Sequence, residues 1–166
     1  VEDPSGTTPV TGQDATDERL GGRCGRTRPD AFYFQSAVIP YRRLLSRRLQ
    51  VCLITNRRRT RWIVPKGVVE PDLSPAESAA KEAWEEAGLR GHVQEPEIGR
   101  YRYHKWGGEC EVSVYPMRVT RTLRDWPEKD RQRRWLPLQE ALVLIEQARL
   151  RALLQRLPEM LERAGG

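Results

Sequence analysis

The chain has no long apolar run. Nothing in its 166 residues approaches the roughly 18 consecutive apolar residues of a membrane span, so no membrane contact of that kind is expected. The N-terminal stretch lacks the basic start and apolar centre of a signal peptide, and a cytoplasmic setting is expected. Cysteine is scarce. Cys24, Cys52 and Cys110 are far apart and odd in number, with neither disulfide nor metal-ligand spacing. Cys52 and Cys110 lie in apolar strand-like runs and read as buried free thiols of a reducing compartment. No internal repeat stands out. Acidic residues are missing altogether from Ala31 to Val69, a span that holds Arg42, Arg43, Arg47, Arg48, Arg57, Arg58, Arg59, Arg61 and Lys66. That basic arm lacks the interleaved aromatics that stack bases, and no nucleic-acid module is recognised, so nucleic acid is not an expected partner.

What remains is a globular composition, 38% hydrophobic and 31% charged, long enough for one domain with a core. Residues 1–31 hold four arginines against six carboxylates, a balance of −2; with +6 for the whole chain, the rest carries +8. Rich in Thr, Gly, Asp and Pro, residues 1–31 read as a disordered tail. Residues 32–148 read as the folded domain and 149–166 as a C-terminal helical extension. Strands are expected at Phe32–Tyr41, Leu49–Thr55, Arg61–Val64, His92–Tyr103, Glu109–Val119 and Arg134–Leu136. Arg42–Arg48 reads as a basic turn, Pro65-Lys66-Gly67 as a loop, and Gly107-Gly108 as a hairpin turn. Pro137 opens a helix, and Pro158 interrupts a later helical stretch through Leu150, Leu153, Leu154 and Leu157. Strands around one internal helix, with helices at the end, give an α/β (α+β) chain: an αβα sandwich with a mixed sheet between helices.

The internal helix organises the reading. Ser74-Pro75-Ala76-Glu77 supplies a cap, a proline for the first helical position and a capping box, and Gly88 a left-handed stop. Ala76, Ala79, Ala80, Ala83 and Ala87 form a narrow stripe of small side chains that lets the helix sit close to a sheet. Glu82, Glu85 and Glu86, at i, i+3 and i+4, fall within roughly 100° of arc on another side. Like charges at that spacing weaken a helix, and a hard divalent cation offsets the repulsion. The same spacing also fits a solvated acidic face; the alanine stripe and the preceding Pro-Lys-Gly loop favour a site.

The stretch Gly67 to Leu89 resembles the signature of the Nudix hydrolases: Gly, five residues, Glu, seven residues, Arg-Glu, an aliphatic residue, any residue, Glu-Glu, any residue, Gly, an aliphatic residue. Gly67, Glu82, Ala83, Glu85, Glu86, Gly88 and Leu89 are in register. Two positions depart: Leu73 stands at the first Glu and Lys81 at the Arg. Lys keeps the charge of Arg and loses its planar fork. The resemblance covers about residues 32–148. Asn56 to Pro65, Asp125-Trp126 and Arg133-Arg134-Trp135-Leu136 are similar to segments of the diphosphoinositol polyphosphate phosphohydrolase branch, whose members and bacterial relatives also cleave diadenosine polyphosphates.

The resemblance implies hydrolysis of a phosphoanhydride in a nucleoside diphosphate linked to another group, or in a highly phosphorylated substrate. It implies Mg²⁺, with Mn²⁺ as a substitute, bound by Glu82, Glu85, Glu86 and the Gly67 carbonyl, with Lys81 beside the carboxylates. Glu85 or Glu86 is a candidate proton acceptor. Lys66, Arg57, Arg59, Arg61 and Lys105 are candidate ligands of a phosphorylated small molecule; each also reads as an ordinary solvated side chain. Glu109 and Glu111 are either further metal ligands or a plain exposed edge. A monomer or homodimer is expected. The competing reading is a weakly catalytic domain that binds a phosphorylated ligand as a sensor.

Overall fold

Strand β1 (Phe32–Arg43) is the seam of the molecule, and every residue from Gln35 to Tyr41 in it is buried. Buried on both faces, it reads as a continuous rather than alternating apolar run. The computed structural model describes residues 31–165. The tail expected over residues 1–31 therefore lies almost wholly outside the described residues.

β1 pairs antiparallel with β2 (Leu49–Thr55) and with the short β4 (Lys66–Val68), and parallel with β7 (Gly108–Thr122). β3 (Trp62–Ile63) and β8 (Arg133–Pro137) pair with β2, while β5 (Leu89–Val93) and β6 (Gly99–Lys105) pair with different parts of β7. The result is one mixed eight-stranded sheet. Its two faces are covered differently. Alternate residues of β1, Ala37, Ile39 and Tyr41, face the larger core cluster. That cluster takes leucines from α2 (Leu138–Leu144), α3 (Ala148–Gln155) and α4 (Leu157–Ala164). Val38 faces the smaller cluster, built on α1 (Pro75–Ala87) through Ala76, Ala79, Ala83 and Ala87. The expected αβα sandwich is present.

Local expectations needed five corrections. Lys66-Gly67 is not in a loop: both residues sit in β4, where their backbone finds ladder partners on Ser36 and Ala37. The turn after β1 is shorter than Arg42–Arg48. It closes from Leu44 to Arg48, with Arg47 at φ 59°, the left-handed residue that follows the tight turn. The single strand expected from His92 to Tyr103 is two, β5 and β6. Between them Gln94 and Ile98 donate to the carbonyls of Pro116 and Val114, while Pro96 has no N–H to offer a ladder. The β6–β7 turn is Trp106-Gly107, both at positive φ as a two-residue hairpin loop requires, rather than Gly107-Gly108. Pro158 does not interrupt one helix but lies in the first turn of a new one, α4, where a missing N–H costs nothing.

Candidate active site

The helix α1 begins and ends where its sequence says. Ser74 Oγ accepts from the Glu77 N–H at 3.2 Å and the Glu77 carboxylate accepts from the Ser74 N–H at 2.8 Å, a complete capping box. Gly88, at φ 62°, ends it. The last four carbonyls of a helix have no partner within it. Here the segment 123–133 reaches across to carbonyls at that end. The Glu128 N–H donates to Glu85 O, Trp126 Nε1 to Glu86 O, Arg133 Nη1 to Ala87 O, and the Leu123 N–H to Gly88 O. The Arg133 guanidinium lies 4.2 Å from the centre of the Trp126 ring and places a cation at the negative end of the helix dipole. A side chain at residue 88 would strike Trp126 and Arg133, a second reason for glycine there.

With the helix held at its end, its acidic face meets β4. A Cβ on Gly67 would lie 1.9 Å from Glu82 Oε1, so only glycine permits this approach. Next to it, the Lys66 N–H donates to Glu86 Oε2 at 3.0 Å. Ser36, opposite Gly67 in the ladder, is fully buried, and its hydroxyl has no hydrogen-bond partner among the described residues. Glu86 is 7% exposed, and its Oε1 accepts from Arg131 Nη2 at 2.6 Å. Burial pushes the Glu86 carboxyl upward against the pull of Arg131 and of the Lys66 N–H. Burial, followed by the charges of Glu86 and Glu85, pushes Glu82 up to about 7. Glu85 pairs with Lys81 at 3.1 Å, and Lys81 also pairs with Glu70, so its ammonium is raised chiefly by the Glu70 hydrogen bond and then by Glu85.

Gly67, Lys81, Glu82, Glu85 and Glu86 are thus brought together. In this arrangement two of the three carboxylates are engaged by the protein's own cations, and among the described residues no three Asp, Glu, His or Cys side chains already converge on one point. The donor set still suits a hard cation: carboxylate oxygens, a glycine-lined approach and a glutamate driven toward protonation by burial and then by its carboxylate neighbours.

The basic candidates divide. Lys66 Nζ donates to Tyr103 OH at 2.8 Å and to Gln35 Oε1 at 3.3 Å. Burial lowers it to about 8, helped by Lys105, while Glu86 and Glu82 pull the other way, so all of these lie within its electrostatic reach. Lys105 itself is exposed and sits over the Trp106 ring. Arg57 pairs with Glu128 at 2.8 Å, Arg59 donates to the Asp130 carbonyl, and Arg61 is exposed on the same loop. Glu109 and Glu111 pair with Arg102, and Glu111 with Arg100 as well; they do not lie on the exposed edge expected for them, because β7 is flanked there by β1 on one side and β6 on the other. Two surface cavities, of about 430 and 620 Å³, lie beside α4 and include none of the expected site residues. Sequence reasoning missed Arg131, Glu128 and Glu70. No spacing rule links them to the helix, because they arrive through the fold.

A mixed sheet between an alanine-backed acidic helix and a leucine-rich helical layer, beside a basic loop, defines an αβα-sandwich domain with an acidic candidate site. The chain belongs to the NUDIX domain family, whose model matches residues 39–157. It is 33% identical over 149 residues to Nudix hydrolase 12, mitochondrial, of Arabidopsis thaliana, covering 75% of this chain and 73% of that protein. It is 30% identical over 122 residues to human diphosphoinositol polyphosphate phosphohydrolase 3-alpha, covering 71% and 72%. The Caenorhabditis elegans Ap4A hydrolase structure superposes with a TM-score of 0.65 at 19% identity, over 79% of this chain and 99% of that one, a likeness of fold. No helix among the described residues is long and apolar enough to cross a membrane.

Proposed function

We propose that the chain is a divalent-cation-dependent pyrophosphohydrolase that cleaves a phosphoanhydride in a highly anionic substrate, of the diadenosine polyphosphate or diphosphoinositol polyphosphate class. Glu82, Glu85, Glu86 and the Gly67 carbonyl are the proposed ligands of Mg²⁺, with Mn²⁺ as a substitute. One observation carries the reading: Glu82 of the helix is pressed against Gly67 of β4, with Glu86 held beside it on the Lys66 N–H, and there burial and the charges of Glu86 and Glu85 drive Glu82 to about 7. A purely structural helix face gains nothing from that arrangement.

When bound, the cation supplies Lewis acidity and neutralises charge at phosphate oxygens. The chain's own part is positioning and electrostatics, the larger share of phosphoryl-transfer catalysis. Glu86 is fixed between a buried guanidinium and a backbone N–H, and Glu85 is held by Lys81. Lys66 Nζ, oriented by Tyr103 and Gln35, offers a cation to a substrate phosphate, and Lys105 with Arg57, Arg59 and Arg61 adds a basic rim. The substrate class rests on the excess positive charge after residue 31 and on the name of the human relative.

The test is phosphate release from a panel of diadenosine polyphosphates, diphosphoinositol phosphates, nucleoside diphosphate sugars and nucleoside triphosphates, with and without Mg²⁺ or Mn²⁺, beside Glu85→Gln and Glu86→Gln. Cation-dependent turnover lost in both variants is expected. Parental activity in both removes these residues from the site.

A further inference from the structure

We propose that Arg131 is a positioning residue of the site, one that fixes Glu86 for cation binding without itself touching substrate. The inference rests on the metal-dependent reading above and deepens it. Its basis is geometric. The Arg131 side chain is 5% exposed, too buried to meet a ligand without leaving its partners. Three of its donors are committed to three separate parts of the fold: Nη2 to Glu86 Oε1 on α1 at 2.6 Å, Nη1 to the Thr55 carbonyl at the end of β2 at 3.1 Å, and Nε to Glu128 Oε2 at 2.7 Å. Thr55 and Glu128 are in turn fixed. The Thr55 N–H donates to Gln132 O, its hydroxyl accepts from the Gln132 N–H, and the Glu128 carbonyl accepts from the Arg131 N–H. The guanidinium is therefore a rigid plate bolted to the sheet, and Glu86 is docked against it.

Glu86 is gripped at both oxygens, Oε1 by Arg131 and Oε2 by the Lys66 N–H. Each carboxylate oxygen accepts two hydrogen bonds, so one lone pair on each remains for a cation. Lys81 cannot do this work: at 37% exposure it pairs with Glu70 and Glu85 and makes no bond to Glu86 among the described residues. A planar fork with several donors holds a carboxylate's orientation where a single ammonium does not. The residue that aims this glutamate thus lies 45 positions away in sequence, on the same segment that caps the helix.

Arg131→Met and Arg131→Lys in the full chain test this, with Mn²⁺ affinity read from the electron paramagnetic resonance of the free ion, alongside kcat, KM and thermal melting. Outer partners of metal ligands are worth about 10- to 100-fold in affinity or activity, and a loss of that size in Mn²⁺ affinity and in kcat is expected, with KM unchanged. Added guanidinium is expected to restore part of the loss in Arg131→Met. If that variant does not fold, Arg131→Lys, which keeps the charge and loses the fork, carries the same comparison. A folded variant that binds Mn²⁺ like the parent overturns the proposal and leaves only a structural role. So does a raised KM with kcat and Mn²⁺ affinity intact, which puts Arg131 on the substrate. A parent that binds Mn²⁺ but hydrolyses no phosphoanhydride overturns the enzymatic reading instead, since the affinity comparison still reports on Arg131.

Discussion

One face of the sheet is covered with leucine and the other with alanine. On the first, Leu150, Leu153, Leu154, Leu157 and Leu161 pack on Ala37, Ile39, Val51, Leu53, Val112 and Val114. On the second, Ala76, Ala79, Ala83 and Ala87 pack on Val38, Cys52, Ile54, Tyr115 and Met117. Leucine buries more apolar surface per residue, and stability follows buried area. Alanine contributes less but allows a helix backbone to approach the sheet closely. The close approach is what brings Glu82 against Gly67 and Glu86 onto the Lys66 N–H. The leucine face therefore answers mainly for stability and the alanine face mainly for geometry.

That division can be broken. Leu154 is fully buried, and Leu154→Ala is expected to cost about 2–5 kcal/mol in denaturant unfolding while leaving activity per folded molecule nearly intact. Loss of activity beyond loss of fold would show that the two faces are not separable. Gly67→Ala is the mirror experiment. Its methyl group has to displace the Glu82 carboxylate, and a misplacement on the order of 1 Å costs about 100-fold in rate; kcat should fall that far with a small change in melting temperature. Acidity sharpens the contrast further. A carboxyl raised to about 7 must lose its proton to bind a cation, so Mn²⁺ affinity should fall by up to about tenfold per pH unit below that point. The sign for stability is the opposite of the usual carboxylate. The folded, cation-free protein holds this proton more tightly than the unfolded chain, so the contribution of Glu82 is present at low pH. It is lost as pH rises from the ordinary carboxylate range through about 7, which thermal melts from pH 4 to 8 can follow. Glu82→Gln should flatten both profiles. The smallest effect expected is that of Ser74→Ala, which removes half of the capping box and costs about 1 kcal/mol by chemical denaturation, with kcat unchanged.

The legible parts of the molecule were the local ones. The limits of α1 follow from Ser74, Pro75, Glu77 and Gly88, which act within a turn of the positions they mark. The face with Glu82, Glu85 and Glu86 follows from helical spacing alone. What the sequence did not disclose depends on partners far along the chain. The residues Lys66 and Gly67 looked like a loop because a three-residue strand has no periodicity to detect; only pairing with Ser36 and Ala37 makes it a strand. Arg131 sat unnoticed in a charged loop, and Glu70 in the approach to the helix, since nothing in their spacing tells a buried arginine or a paired loop glutamate from solvated ones. The split of β5 from β6 was hidden for a related reason: both segments are strand-like, and the break between them is set by the shared partner β7.

The seam between β1 and β7 also governs how fast the molecule assembles. Its first pair, Phe32 with Glu109, joins residues 77 apart in sequence, and the pairing is parallel, so no tight turn can nucleate it. Chains dominated by such distant contacts refold in about milliseconds to seconds, later than helical proteins of similar size. Stopped-flow fluorescence of a variant that keeps Trp126 and replaces the other four tryptophans should gain its native signal no sooner than helical circular dichroism does.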